Sequence, residues 1–124
     1  MKIIIPVENT NDETLVCPSF GRAPFFMIFD TETNDSQFID NPAANSQGGA
    51  GIKAAQTIVD NKAEAVIAYQ CGQNAADVLK AGGIKIYKAE MGLAKDNIAK
   101  YTENKLFVLT DIHPGFHNHG GGRN

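Results

Sequence analysis

Apolar residues fall along this chain in short clusters whose spacing changes from strand-like to helix-like. Lys2 to Val7 is a β-branched run that reads as a strand, with Pro6 near its end because proline removes one ladder donor. Phe25-Phe26-Met27-Ile28-Phe29 reads as a second strand. Turn formers fill Thr31 to Ser36, and Gln37 to Asp40 follows as a third strand, hairpin-paired with the second. Asn41 to Gly51 is small, polar and glycine-rich, which predicts a loop. From Gly51 to about Asn61 the spacing becomes helical, with Ile52, Ala55, Ile58 and Val59 on one face. Ala65 to Tyr69 is short and apolar throughout, as in a strand covered on both sides. A helix over Ala75–Ala81 follows, with Val78 and Leu79 inward and Gly82-Gly83 as its stop. Ile84-Lys85-Ile86-Tyr87 is a further strand, and Leu93 to Tyr101 a third helix carrying Leu93, Ile98 and Tyr101. Leu106 to Leu109 fits a short strand or a packed terminal segment equally well.

The order β-β-β-α-β-α-β-α predicts an α/β fold, a mixed five-stranded sheet with helices packed on it. The βαβ links around the Ala65 strand make parallel pairs through right-handed crossovers, while the first three strands form an antiparallel meander. The Lys2 strand is expected at the centre, between the Phe25 and Ala65 strands. The 124 residues suffice for one domain, set at 1–111, with a flexible His/Gly-rich tail at 112–124.

Charge narrows the partners. Eleven Lys and Arg against fourteen Asp and Glu give a net charge of −3. There is no basic stripe for nucleic acid or an anionic membrane, and no apolar run long enough to span a bilayer. The first residues are too short in apolar content for a secretory leader, so the expected location is the cytoplasm, with both cysteines reduced. A Cys17–Cys71 disulfide stays open at this level.

Cys71 carries the most chemistry. It lies where the Ala65 strand runs into the next helix, and ligands collect at the carboxyl ends of strands in open α/β sheets. The helix amides and dipole there favour thiolate, a soft metal ligand or nucleophile. The competing reading is a small buried hydrophobe. Gly49-Ala50-Gly51-Ile52-Lys53-Ala54 matches G-x-G-x-x-A, yet no strand runs directly into it and no acidic residue follows at ribose-binding distance. It reads better as a glycine loop at a helix N-terminus that holds an anion, or simply as a flexible approach to the helix. Arg22 fits either an anionic ligand or an internal salt bridge that orders its loop.

Several short motifs occur together. Phe20-Gly21-Arg22-Ala23-Pro24-Phe25-Phe26 follows the first strand, and Asn41-Pro42 the third. Gly49-Ala50-Gly51, Cys71-Gly72-Gln73-Asn74-Ala75 and Ala81-Gly82-Gly83-Ile84 then follow in order. Over roughly Lys2 to Tyr101 the chain closely resembles the dinitrogenase iron–molybdenum cofactor biosynthesis family, which includes nitrogenase accessory carriers and small stand-alone proteins. The resemblance implies a ribonuclease-H-like motif without nuclease activity, and binding of iron–sulfur clusters or iron–molybdenum cofactor precursors. Many relatives carry histidine just before Phe-Gly; here Ser19 stands there, with Cys17 two residues earlier either as a replacement ligand or as an incidental exposed thiol. The candidate cofactor-binding set is Cys71, Gln73 and Asn74 with Ser19, Phe20, Gly21, Arg22, Gly49 and Gly51, and Cys17. Phe20-Gly21-Arg22, Gly49-Ala50-Gly51 and Cys71-Gly72-Gln73-Asn74 are expected to converge on one face.

His113, His117 and His119 offer imidazoles at metal-compatible spacing in the tail, either as ligands beside Cys71 or as adventitious binders. No catalytic constellation is recognisable, so the expected protein is a non-catalytic carrier of a metal cluster, with a protein partner in cluster assembly. The alternatives are a regulatory module for a small anion and a thiol-dependent redox protein using Cys71, although no C-x-x-C is present.

Overall fold

The structure, a computed structural model, describes residues 1–109. Five strands and three helices alternate as expected: β1 (Lys2–Val7), β2 (Phe25–Asp30), β3 (Asp35–Asp40), α1 (Ala50–Asp60), β4 (Ala65–Ala68), α2 (Gln73–Ala81), β5 (Lys85–Lys88) and α3 (Ala94–Thr102). They form one sheet of order β3-β2-β1-β4-β5. β1 pairs antiparallel with β2 and parallel with β4; β2–β3 is antiparallel and β4–β5 parallel. The Lys2 strand is thus central between the two strands expected beside it. The arrangement is consistent with the ribonuclease-H-like label.

Pro6 is tolerated because the β1–β4 register spans only Ile3 and Ile4. Its carbonyl instead accepts the Cys17 amide at 2.8 Å. Side-chain alternation on β1 divides the core. Ile4, with Phe26, Ile28, Val66 and Ile86, packs under Ala54, Ala55 and Ile58 of α1 and Ala75, Ala76 and Leu79 of α2. Ile3, Ile5 and Val7 face the other way with Met27 and Ile67, against Ala94 and Ile98 of α3. Burying each isoleucine stabilises the fold by about 1.5–3 kcal/mol. The alanines let the helices lie close to the sheet and to each other.

Element ends differ from the sequence expectation at informative places. α1 starts at Ala50 and α2 at Gln73, so Gln73 and Asn74 belong to a first helical turn. Ile52 is not on the buried face of α1; it is 44% exposed, and Ala50, Ala54, Ala55 and Ile58 are buried instead. Leu106–Leu109 runs along β5 with a single bridge, Tyr87 to Val108. Lys88 donates to the Phe107 carbonyl and Leu109 to that of Ile86, both at 2.8 Å.

Candidate functional site

The register places the loops. Val7 lies opposite Phe25 and Phe25 opposite Asp40, so β1 and β3 end where β2 begins. β4 runs parallel to β1 and ends at the same edge. Phe20–Pro24 leading into β2, the loop from β3 to α1, and Cys71–Gly72 leading into α2 therefore meet at one edge of the sheet. They enclose an open cleft of about 540 Å³, lined by Pro18–Arg22, Gly49–Ile52 and Gln70–Ala75. The expected convergence of the three segments is present in the structure.

Close packing holds the cleft wall. A Cβ on Gly21 would lie 2.9 Å from the Gly51 nitrogen and 3.1 Å from the Ala50 carbonyl carbon. Only glycine lets this loop rest on the start of α1. Buried Asn41 fixes the loop from below. Its Nδ2 donates to the carbonyls of Gly21 (3.0 Å) and Ala23 (2.8 Å), and its Oδ1 accepts the Ala43 amide (3.0 Å). Phe20 is largely buried in the core beneath the loop and is an anchor as well as a wall. The Ser19 hydroxyl accepts the Arg22 amide at 3.0 Å. Arg22 makes no salt bridge among the described residues; its guanidinium donates to the Ser46 carbonyl. That replaces the ion pair expected as the alternative to ligand binding.

The electrostatics of the cleft are one-sided. Among the described residues Arg22 is the only charged one that lines it. α1 and α2 both open onto it, and neither has a side-chain cap or an acidic residue in its first turn. Gly49, at φ 66°, takes a left-handed conformation that presents the α1 terminus. The first-turn amides of Ala50–Ile52 and Gln73–Ala75 have no hydrogen-bond acceptor among the described residues. Helix N-termini with free amides attract anions. Gln73 bonds to Asp77 at 2.7 Å, one turn on, and Asn74 stays exposed.

Cys71 lies at the floor of this cleft, but not as the thiolate expected from its place before a helix. It is 1% exposed and packs in the α1–α2 core, and burial pushes its thiol up to about 11 against a slight opposing pull from Lys80. Desolvation outweighs the helix dipole, so the thiol is neutral at pH 7. Cys17 does not line the cleft. It is also buried, next to Glu8; burial raises its pKa, and the Glu8 charge adds to the rise. It is thus not the exposed thiol of the sequence reading, and both cysteines are free, with no disulfide. Among the described residues no group of three or more His, Cys, Asp or Glu could hold a metal ion. His113, His117 and His119 lie outside the described residues.

The sequence reading missed three participants. Asn41, noted only as part of an Asn-Pro motif, is the loop staple; an asparagine before proline after a strand is an Asx-turn signal that points to such a role. Ile52 lines the cleft because the first turn of α1 stands clear of the core. Gln70 lines it too and reaches the Pro18 carbonyl at 3.3 Å.

The family model described as dinitrogenase iron-molybdenum cofactor matches residues 1–104. The chain belongs to this family. Among its relatives, an uncharacterised Methanocaldococcus jannaschii protein is 33% identical over 109 residues, covering 86% of this chain and 89% of that protein. The apo form of the orange protein from Desulfovibrio gigas superposes with a TM-score of 0.83 at 28% identity, over 88% of this chain and 92% of that one. A NifB-like protein from Thermotoga gives 0.79 at 33% identity, over 96% and 98%. These neighbours share the mixed five-stranded α/β fold of this family member. Among the described residues no helix is long and apolar enough to cross a membrane.

Proposed function

We propose that this protein is a non-catalytic carrier for an anionic metal–sulfur cofactor, an iron–sulfur cluster or an iron–molybdenum cofactor precursor, held in the cleft over Cys71. The observation that carries this reading is the pairing of two uncapped helix N-termini with Arg22 in a cleft lined by no carboxylate among the described residues. Sulfido clusters are anions, and amide donors hydrogen-bond their sulfides. Family membership supports a role in cofactor assembly, and the orange protein's apo form supports binding within this fold.

The chemistry favours release as much as capture. Two cysteines, one of them away from the cleft, cannot supply a four-thiolate set, so any cluster stays incompletely ligated by this chain. Using Cys71 as a ligand at pH 7 requires removing a proton at a cost of about 5 kcal/mol, of which burial in the fold contributes about 3. Metal binding must supply that energy, which makes retention through Cys71 pH-dependent. Amides and Arg22 attract the cargo; the thiol at the floor ligates it once deprotonated.

Anaerobic reconstitution with iron and sulfide tests this. The wild-type protein is expected to retain both and gain visible absorption, Arg22→Gln to retain less, and Cys71→Ser to lose most of the cluster. Equal retention by Cys71→Ser removes the thiolate role and leaves the amide cleft. No retention of iron or sulfide by wild type ends the carrier reading, and binding of molybdate or another oxyanion alone leaves a small-anion module.

A further inference from the structure

Among the exposed large hydrophobic side chains, Ile52 stands in the cleft wall, Met1, Phe107 and Val108 lie away from it, and Leu15 (51% exposed) and Met91 (94%) stand on two segments joined as a short ribbon by one β-bridge. Leu15 bridges Leu93, Val16 donates to the Gly92 carbonyl at 3.1 Å, and Ala94 donates to that of Thr14 at 3.0 Å. Met91 precedes Gly92, the bend that leads into this bridge. The ribbon is tied to the cleft rim. Pro18, three residues after Leu15, lines the cleft, and the Gly92 amide donates to the Tyr69 hydroxyl at the end of β4. Asn97 fixes the same turn through the Glu90 backbone at 2.8 and 2.9 Å. These apolar side chains are therefore displayed on a hydrogen-bonded backbone, so little loop-ordering entropy opposes their burial.

We infer that the Leu15–Met91 ribbon is a docking face for a protein partner that covers the cleft mouth and presents an apolar contact flanked by lysines or arginines. Methionine is polarisable and adaptable, which suits it to binding surfaces. The charge around the ribbon selects the partner's sign. Glu8, Asp12, Glu13, Glu90 and Asp96 stand on these segments against Lys88, Lys95 and Lys100. Glu13 and Glu90 are paired with Lys95 and Lys100, and Glu8, Asp12 and Asp96 have no ion pair among the described residues. The ribbon is thus acidic, in contrast to the cleft it flanks, and a basic partner surface complements it. This inference rests on the carrier reading only for what passes through the cleft; docking is independent of cargo.

The test places the photo-crosslinking amino acid p-benzoylphenylalanine at position 91 and, as a control, at exposed Asp35 on the far end of the sheet, in cells of the source organism. The adduct is identified by mass spectrometry, and the purified partner is titrated against wild type and against Leu15→Ser/Met91→Ala. An adduct from position 91 alone, through a Lys- or Arg-bearing peptide, with affinity at least about tenfold weaker for the double variant and falling with added salt, is expected. Equal adducts from both positions, no adduct, an acidic contact peptide, or unchanged affinity overturns it. An adduct with a second copy of this chain makes the face a self-association surface and also overturns it. Iron and sulfide retention by the double variant stays at the wild-type level, which separates failure of docking from failure of the carrier reading.

Discussion

α1 and α2 begin in one way and α3 in another. The α3 start is closed: its first amide, Ala94, donates to Thr14, Asp96 stands in its first turn, and buried Asn97 ties the preceding turn to the helix. The starts of α1 and α2 carry no acid, and their leading amides have no acceptor among the described residues. All three lack a side-chain N-cap, so capping does not separate them. What separates them is where the amides and charges are satisfied. On the α3 side the leading amide is met by Thr14 and the helix dipole by Asp96; on the α1–α2 side neither is met among the described residues. An open helix start costs stability that a ligand can return.

Two buried asparagines give the sharpest way to break this comparison. Asn41 and Asn97 each make two Nδ2 bonds to carbonyls and accept one amide at Oδ1. Replacing either by alanine leaves several buried groups unpaired, and a loss of about 2–4 kcal/mol is expected in denaturant unfolding. The ligand readout then separates the two. Asn41→Ala, which frees the Gly21 loop, weakens cluster retention strongly, while Asn97→Ala leaves it unchanged in the folded fraction. Equal effects on retention sink the distinction between the two sides.

These asparagines also mark where sequence reading stops. The sheet was legible because the Lys2–Val7, Phe25–Phe29 and Ala65–Ala68 runs are strongly apolar, and the link lengths leave few ways to order them. The meeting of Phe20–Arg22, Gly49–Gly51 and Cys71–Asn74 was legible for the same reason, since each abuts a strand or helix end at one sheet edge. The state of Cys71 was not. Its position before a helix signals thiolate, whereas its burial, which depends on how α1 and α2 close over it, decides for the thiol. Ile52 fell on the apolar stripe by spacing, yet the first turn of α1 faces the cleft instead of the core. Which carbonyls Asn41 and Asn97 reach depends on loop paths that periodicity does not encode.

The two cysteines extend the comparison to pH. Cys71 titrates at about 11 in the fold against 9.0 for an ordinary thiol. The folded state therefore holds its proton more tightly, so the contribution is fully present below pH 9 and is lost as pH rises from 9 through about 11. The loss attributable to Cys71 is about 3 kcal/mol. Cys17, also raised by burial, acts in the same direction. Chemical denaturation from pH 8 to 11 is expected to show a falling stability whose slope drops in Cys71→Ala. An unchanged slope means that the thiol at the cleft floor is not desolvated in the free protein.

Gly21 tests the cleft wall with a smaller effect. Gly21→Ala forces a Cβ against backbone at 2.9–3.1 Å, where no side chain can swing away, and about 1–3 kcal/mol of destabilisation is expected. Gly48→Ala meets nothing within 4 Å and should fall within about 0.5 kcal/mol of wild type. Thermal melts of the pair read the difference, and equal melting temperatures would show that the loop does not rest on α1.

Single-atom changes at two helix starts exchange the characters of the two sides. Asn74 is exposed in the first turn of α2, and Asp96 occupies the first turn of α3. Asn74→Asp adds a negative charge where the helix dipole is unsatisfied, so the protein gains about 0.3–1 kcal/mol of stability at low salt. The same charge sits in the cleft and repels an anionic ligand, so iron and sulfide retention falls as stability rises. Asp96→Asn reverses the first effect without the second: stability drops by a similar few tenths and retention is unchanged. The opposed signs matter more than the sizes. Damage to the fold lowers stability and binding together, whereas a helix start kept open for an anion trades one against the other. If Asn74→Asp gains stability and retains the cluster as well as wild type, the open end of α2 does not serve the ligand, and its difference from α3 is only one of local packing.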